Sequence, residues 1–357
     1  MSRPPNPVME RNHAIRGPTL PVCARFAGCS AAGCRAAPAA AMPAGSVVVI
    51  DDGESAPRLM PARYLVGLAV LSGIWASGFL FNRVAVQEMS ATTLVGLRMA
   101  VGAVTLAPFV LVRVGPTHVW AVIRRHWLRL VAVSLLGSAV APGFTAWAQN
   151  ELESGTTAII SASAPLFAAL LSLVVARHDV MTGWRLVGLL VGFGGVALLV
   201  GAQPSASVVS AGAVVVGSIA FALSTVLVGR WLGAVDPMVT TFALTAIAAV
   251  VLVPFDVVDP PRGGDWKVVG SVVGLGVAVT GLGFVLFYWI VAGAGASNGI
   301  LAAYLIPAFA ILYGAVLLDE AVTWRNLAGF AVVITGVAFA TGRLRRGRPT
   351  TEPPLSP

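Results

Sequence analysis

Long apolar runs separated by short polar turns make up most of this 357-residue chain. A helix needs about 20 mainly apolar residues to cross the hydrocarbon core of a bilayer. Runs of this length predict ten membrane-spanning helices, and hence an all-α polytopic membrane protein. The expected ranges are 64–84, 91–112, 129–148, 155–176, 185–202, 208–229, 237–254, 268–291, 297–317 and 325–342.

One stretch of sequence occurs twice. The first copy contains, in order, LGSAV (136–140), Pro165, a polar turn (177–179) and Gly-Val-Ala (195–197). The second copy contains LGVAV (275–279), Pro307, an acidic turn (319–320) and Gly-Val-Ala (336–338). Two like halves are the usual construction of a secondary transporter. We therefore divide the membrane part into two five-helix repeats, 64–202 and 208–342.

Five is an odd number of spans, so the second repeat must enter the membrane from the opposite side, as an inverted repeat. Basic residues report orientation because cytoplasmic loops carry an excess of them. With both termini in the cytoplasm, the inner side holds Arg58, Arg63, Arg113, Arg124, Arg125, Arg129, Arg177, Arg185, Arg230, Arg343, Arg345, Arg346 and Arg348. The outer side holds Arg83, Arg262, Lys267 and Arg325. We expect an inner (plasma) membrane protein with cytoplasmic N- and C-termini and a basic tail at 343–357.

The composition agrees with this class. Hydrophobic residues make up 57% of the chain and charged residues 11%, and the mean hydropathy is +0.87, which excludes a soluble domain. The net charge of +8 raises the question of nucleic acid, but the basic residues fall mainly in loops and tails. They indicate topology rather than a nucleic-acid surface, so no nucleic-acid partner is expected.

Residues 1–60 differ from the rest in being rich in Pro, Ala and Arg, without a run long enough to span. We expect a disordered leader, or a translation start at Met42 or Met60. All three cysteines lie here without zinc-like spacing, so no metal site is expected.

Several short motifs stand out along the membrane part of the chain. They are Trp75-Ala76-Ser77, Leu97-Arg98, Ala164-Pro165-Leu166, Ile306-Pro307-Ala308 and Leu318-Asp319-Glu320. With ten spans in a five-plus-five inverted repeat, the region 64–342 resembles the EamA-type transporters of the drug/metabolite transporter superfamily. That resemblance implies export of an amino acid or similar small metabolite by alternating access. At the place of Glu320, the first half offers either His178 or Asp179.

Polar side chains deep in a span must face a cavity or the bundle interior, because polar groups are costly in hydrocarbon. Arg98 lies roughly 10 Å into the second predicted span, at 1.5 Å per residue. It either binds a substrate carboxylate or reaches the headgroups. Further candidates for substrate contact, each with a purely structural alternative, are Tyr304, Trp75, Ser77, Asn82, Trp147, Gln149 and Tyr288.

Two prolines and three polar residues are candidates for gating and coupling. A proline inside a helix removes a hydrogen bond and kinks it, so we assign Pro165 and Pro307 to gating, with static packing as the alternative. Asp179, His178 and Glu320 are the candidates for ion coupling.

Three signatures of enzymes are missing from the sequence: a phosphate-binding loop, H-E-x-x-H and an intramembrane pair of carboxylates. We predict a secondary transporter that is not an enzyme and needs no cofactor, with a drug efflux carrier and a polytopic membrane enzyme as alternatives. The expected partners are a small-molecule substrate and the lipid bilayer, and a homodimer is left open.

Overall fold

The computed structural model describes residues 61–176, 184–201, 207–258, 265–295 and 301–340, all within one compact unit. In these ranges the fold is helical and has no strand. The α-helices are α1 (Ala62–Ala85), α2 (Ala91–Val114), α3 (Pro116–Ser134), α4 (Ala141–Ala148), α5 (Ser154–Ser161), α6 (Ala164–Ala176), α7 (Trp184–Gly201), α8 (Ser207–Leu232), α9 (Pro237–Val258), α10 (Trp266–Val273), α11 (Gly283–Ala294), α12 (Ala302–Leu317) and α13 (Trp324–Ala340).

Within the described residues, seven helical stretches are long and apolar enough to cross a membrane. Three shorter apolar helices, Leu186–Val200, Ala302–Leu317 and Trp324–Ala340, accompany them. The prediction of an all-α polytopic membrane protein is confirmed. Asp179 and His178 lie outside the described residues.

The third predicted span is longer than expected. Helix was predicted over 129–148, but a helical stretch with one bend runs over Pro116–Ala148. Its first part is amphipathic: Val119 is buried against Val239 of α9, while the polar face is exposed, so the pattern had indicated a loop. A bend at His126 (φ −116°, ψ 16°) separates this part from the rest of α3.

Two π-helical segments interrupt the third and eighth spans. They comprise Leu135–Val140, between α3 and α4, and Gly274–Leu282, between α10 and α11. The repeated motifs LGSAV and LGVAV fall inside them. A π-turn inserts an extra residue into the helical hydrogen-bond ladder and is frequent at functional sites.

Small residues let the helices approach closely. Thr280 packs so tightly on α2 that a methyl group added at Gly102 would lie 2.6 Å from its Cγ2. Helices α7 and α13 pack along their lengths in opposite directions, with Gly192 against Gly336 and Gly188 against Ala340. Close approach through small residues is a main source of attraction between helices in lipid.

Candidate substrate site and outer polar cluster

Arg98 lies where α2 crosses the second π-helical segment. Its Nε donates a hydrogen bond to Oγ1 of Thr280, at 3.1 Å. Thr280 is buried, Arg98 is partly buried, and Thr280 lies near the middle of the helical stretch Trp266–Ala294. The site is therefore deep in the bundle, at the level where transporters of this construction hold their substrates.

The guanidinium of Arg98 is only partly engaged. Among the described residues it makes no ion pair, and the bond from Nε is its only hydrogen bond. Its terminal nitrogens have no partner among the described residues, and they keep some accessible surface. A guanidinium fork matches a carboxylate in a bidentate pair. The arrangement thus leaves the carboxylate-binding edge of Arg98 free.

An aromatic wall lies about one helical turn beyond Thr280. Phe284 follows Thr280 by four residues, and its ring centroid lies 5.8 Å from that of Trp75 on α1. The Phe287 ring is 5.4 Å from Trp75, and the Tyr288 ring stacks on Phe284 at 6.3 Å. All four rings are partly exposed. Such a wall can bind an apolar or aromatic side chain.

The Tyr288 hydroxyl has a structural contact of its own. It bonds the Thr241 hydroxyl and donates to the carbonyl oxygen of Pro237, at 3.0 Å. Both partners belong to the first turns of α9. The hydroxyl therefore ties the end of α11 to the start of α9, while only the ring contributes to the wall.

Ser77 lines a different space, a groove of about 490 Å³ between α1 and α12. The groove is mostly apolar, it does not include Arg98, and Val70 on its rim is half exposed. The Ser77 hydroxyl donates to the carbonyl oxygen of Ile74, at 2.7 Å. This groove opens on the outside of the bundle, so we do not assign it to the substrate.

The remaining candidates are spread over the bundle. Tyr304 packs against the cluster that α5, α7 and α13 form, and Trp147 is 45% exposed at the end of α4. Asn82 is buried near the end of α1. Pro165 lies in the first turn of α6, after a break at 162–163, and Pro307 lies inside α12.

Glu320 joins the turn after α12 to the start of α5. Both of its carboxylate oxygens accept from the backbone N–H of Ser154, at 2.9 Å, and Oε1 also accepts from the Ser154 hydroxyl. Ser154 begins α5, where a carboxylate is favoured by the helix dipole. The turn is built for this contact: Asp319 has φ 54°, and a methyl group at Gly314 would overlap the Glu320 carboxylate. Glu320 thus acts as a helix cap between distant segments.

Glu153 lies beside this cap, just outside the span. Asn326 donates to its Oε2 at 3.5 Å. Burial raises the pKa of Glu153 above its ordinary value, and the charge of Glu320 adds to the shift, while the Asn326 hydrogen bond and the charge of Arg83 oppose it. We call Arg83, Gln149, Glu153, Glu320 and Asn326 the outer polar cluster, because the distribution of arginines in the sequence predicts that this face is the outer one.

Gln149 fastens the cluster to α1. Its carbonyl oxygen accepts from Arg83, and its side-chain Nε2 donates to the carbonyl oxygen of Phe79, at 2.9 Å. The side chain is fully buried, and its Oε1 has no partner among the described residues. The buried Gln149 therefore links α1 to the turn after α4.

The two halves of this chain each match one family model. The EamA-like transporter family matches residues 63–201 and again residues 209–342. The chain belongs to the EamA-like transporter family. It is thus a multi-pass membrane transporter and not an enzyme, as the sequence predicted.

Relatives of this transporter carry related names. An uncharacterized transporter of Archaeoglobus fulgidus is 27% identical over 273 residues, which cover 76% of this chain and 95% of the relative. A "Probable terminal-alkyne amino-acid exporter" of Streptantibioticus cattleyicolor is 28% identical over 319 residues, 83% of this chain and 99% of the relative. A solved crystal structure is 19% identical in sequence, and the match covers 80% of this chain and 100% of the solved chain. The TM-score is 0.55, so the two chains have the same fold.

Sequence reasoning missed part of the site of this EamA-like transporter. Thr280 and Phe284 were not candidates, although Thr280 directly follows the repeated motif, where the first copy has Ala141. That difference between the copies was the available signal. Arg83, Glu153 and Asn326 gave no signal, because polar residues near span ends ordinarily meet water.

Proposed function

We propose that this EamA-like transporter exports an amino acid or a similar small carboxylate across the inner membrane by alternating access, with Arg98 holding the carboxylate. The observation that carries this proposal is the guanidinium that, among the described residues, is bonded only through Nε, to Thr280. A partly buried cation without an acidic partner in that part of the chain is costly, and a substrate carboxylate would relieve that cost. The aromatic wall would take the rest of the molecule.

A relative supports the substrate class. The Streptantibioticus cattleyicolor protein is named a probable exporter of a terminal-alkyne amino acid, a molecule with a carboxylate and an apolar end. These are the two chemical features that Arg98 and the aromatic wall would recognise. A carrier for apolar drugs would use the wall but leave the Arg98 guanidinium unpaired, so we rank it second.

The architecture proposed for this function is ten spans in two inverted five-helix repeats, 64–202 and 208–342. The two family matches support it. Helix packing supports it as well, because contacts between helices of one half and the other recur when each helix is replaced by its counterpart in the other half. Helix α1 packs on α12 as α8 packs on α5 and α6, and α2 packs on the second π-helical segment as α9 packs on the first.

The outer polar cluster supports the opposite directions of the two halves. It brings together the end of α1, the end of α4, the start of α5 and the start of α13. The end of α12 thus meets the start of α5 on one face, so these two helices run in opposite directions. They occupy equivalent places in the two halves, and an inverted repeat requires this difference in direction. We place this face outside, and both termini in the cytoplasm, from the distribution of Arg residues.

Alternating access requires places where helices bend. We assign this role to Pro165, which follows the break between α5 and α6, and to Pro307 inside α12. Movement at these points would separate the elements that the outer polar cluster holds together, and so open the outer side. A homodimer is compatible with this scheme but is not needed for it.

The test is a transport screen with the purified transporter in liposomes. Amino acids, their decarboxylated amines and apolar cationic dyes are loaded in parallel, with and without a pH gradient. Uptake or efflux of amino acids, with little movement of the matching amines, is expected. Transport of the dyes and amines alone would refute the proposal and favour a drug carrier.

A further inference from the structure

The helical stretch Pro116–Ala148 is longer than a bilayer needs. Its 33 residues extend roughly 50 Å at 1.5 Å per residue, whereas a hydrocarbon core is about 30 Å thick. The bend at His126 divides it into a first part of about three turns and a spanning part. The first part, residues 116–126, therefore lies at the membrane surface.

This first part has one packed side and one unpartnered side. Val119 and Ile123 pack on α9 beside Val110 of α2. On the other side Trp120 is 66% exposed and Trp127, just after the bend, 55%. Tryptophan is enriched at the boundary between hydrocarbon and headgroups, because its ring is both apolar and able to hydrogen-bond.

The exposed surface around this first part is strongly basic. Arg113 at the end of α2 and Arg124, Arg125 and Arg129 on α3 are all exposed. In the described part of the chain none of these four makes an ion pair or a side-chain hydrogen bond. The sequence holds no Asp or Glu between Glu88 and Glu151. Asp236, at the start of the neighbouring α9, accepts from the backbone N–H groups of Met238 and Val239.

We propose that residues 116–129 form an interfacial helix that binds the anionic headgroups of membrane phospholipids. Trp120 and Trp127 set its depth, and the exposed arginines pair with lipid phosphates. Arginine suits this role because its guanidinium forms bidentate pairs with phosphate. A basic amphipathic helix next to a span is the arrangement that anionic lipids recognise.

Lipid binding by the full-length transporter tests this proposal. The purified protein is given phosphatidylglycerol and phosphatidylcholine at equal mole fractions, and the bound lipids are counted by native mass spectrometry. We expect a preference for phosphatidylglycerol that Arg124→Ala with Arg125→Ala lowers roughly thirty-fold, at about a factor of five per arginine. Added salt should weaken the preference, whereas inorganic phosphate at the same ionic strength should not displace the lipid.

Charge-matched controls make the test specific. Lys267→Ala with Arg325→Ala removes two basic residues that also neighbour exposed tryptophans, Trp266 and Trp324; this pair should keep the preference. Arg124→Lys with Arg125→Lys keeps the charge and should retain most of the preference for phosphatidylglycerol. This lysine pair keeps the proposal testable if the alanine pair does not fold. No preference in the wild type, an unchanged preference in the alanine pair, or an equal loss in the control pair would overturn the proposal.

Discussion

The contact between α7 and α13 can be tested with a single methyl group. Alanine at Gly336 would overlap Cα and N of Gly192 and place its Cβ 2.8 Å from the carbonyl oxygen of Gly188. Non-bonded atoms are at their best about 3.5–4.0 Å apart, so the helices would have to separate by about 1 Å. Because the opposing atoms belong to the backbone, no side-chain rotation can relieve the overlap.

We expect Gly336→Ala to lower the free energy of unfolding. Overpacking costs about 1–3 kcal/mol, and alanine returns about 0.5–1 kcal/mol through its better helix propensity. The net expected loss is on the order of 1–2 kcal/mol. Unfolding of the detergent-solubilised transporter by heat or by sodium dodecyl sulfate, followed by circular dichroism, measures it.

Gly194→Ala is the matched control for this experiment. Gly194 belongs to α7, and nothing lies within 4 Å of a methyl group added there. This variant should be as stable as the wild type, or more stable by up to about 1 kcal/mol from propensity alone. Equal stabilities of Gly336→Ala and Gly194→Ala would refute the packing described for α7 and α13.

Three further experiments test other parts of the structure. Burial and the charge of Glu320 raise the pKa of Glu153 in the folded protein, so ionisation of Glu153 lowers the stability of the fold as pH rises through that pKa. Glu153→Gln should therefore have a higher melting temperature than the wild type at pH 8 and the same melting temperature at pH 4. A difference in melting temperature that shrinks with rising pH would contradict this. Thr280→Val, of the same shape, should fold normally but weaken substrate affinity roughly five-fold by removing the hydrogen bond that orients the arginine; unaltered affinity in a binding assay would argue against that role. In a background without native cysteines, Glu88→Cys should react with an impermeant thiol reagent in intact cells and Thr117→Cys should not, and the reverse labelling would overturn the orientation.

Hydropathy predicted the all-α polytopic membrane class because a continuous apolar run has few structural uses outside a membrane. It failed at residues 116–128, where arginines interrupt the run. An amphipathic surface helix buries only one side, so its mean hydropathy resembles that of a loop. The α3 helix starts earlier than predicted for this reason.

The site was only partly readable for a related reason. Arg98 was a candidate because a charged residue inside a predicted span suggests a function. That signal can be read from a single position in the sequence. Its partner Thr280 depends on the packing of α2 against a π-helical segment, and the hydrogen-bond register of a helix leaves little trace in side-chain pattern. Glu320 was noticed as an acidic turn residue, but its contact with Ser154 joins positions far apart in the chain, which no local pattern encodes.

The most direct test of the account compares two substrates in the same binding assay. An amino acid found in the transport screen is measured against its primary amide, which lacks the negative charge, in the wild type, in Arg98→Lys and in Arg98→Gln. Hydrogen bonds to charged groups contribute about 1.5–3 kcal/mol, so the wild type should prefer the acid by roughly ten- to hundred-fold. Arg98→Gln should bind acid and amide alike, and Arg98→Lys should keep part of the preference because it keeps the charge without the planar fork. If Arg98→Gln retains the wild-type ratio of acid to amide, Arg98 does not bind the carboxylate and the proposed site is wrong.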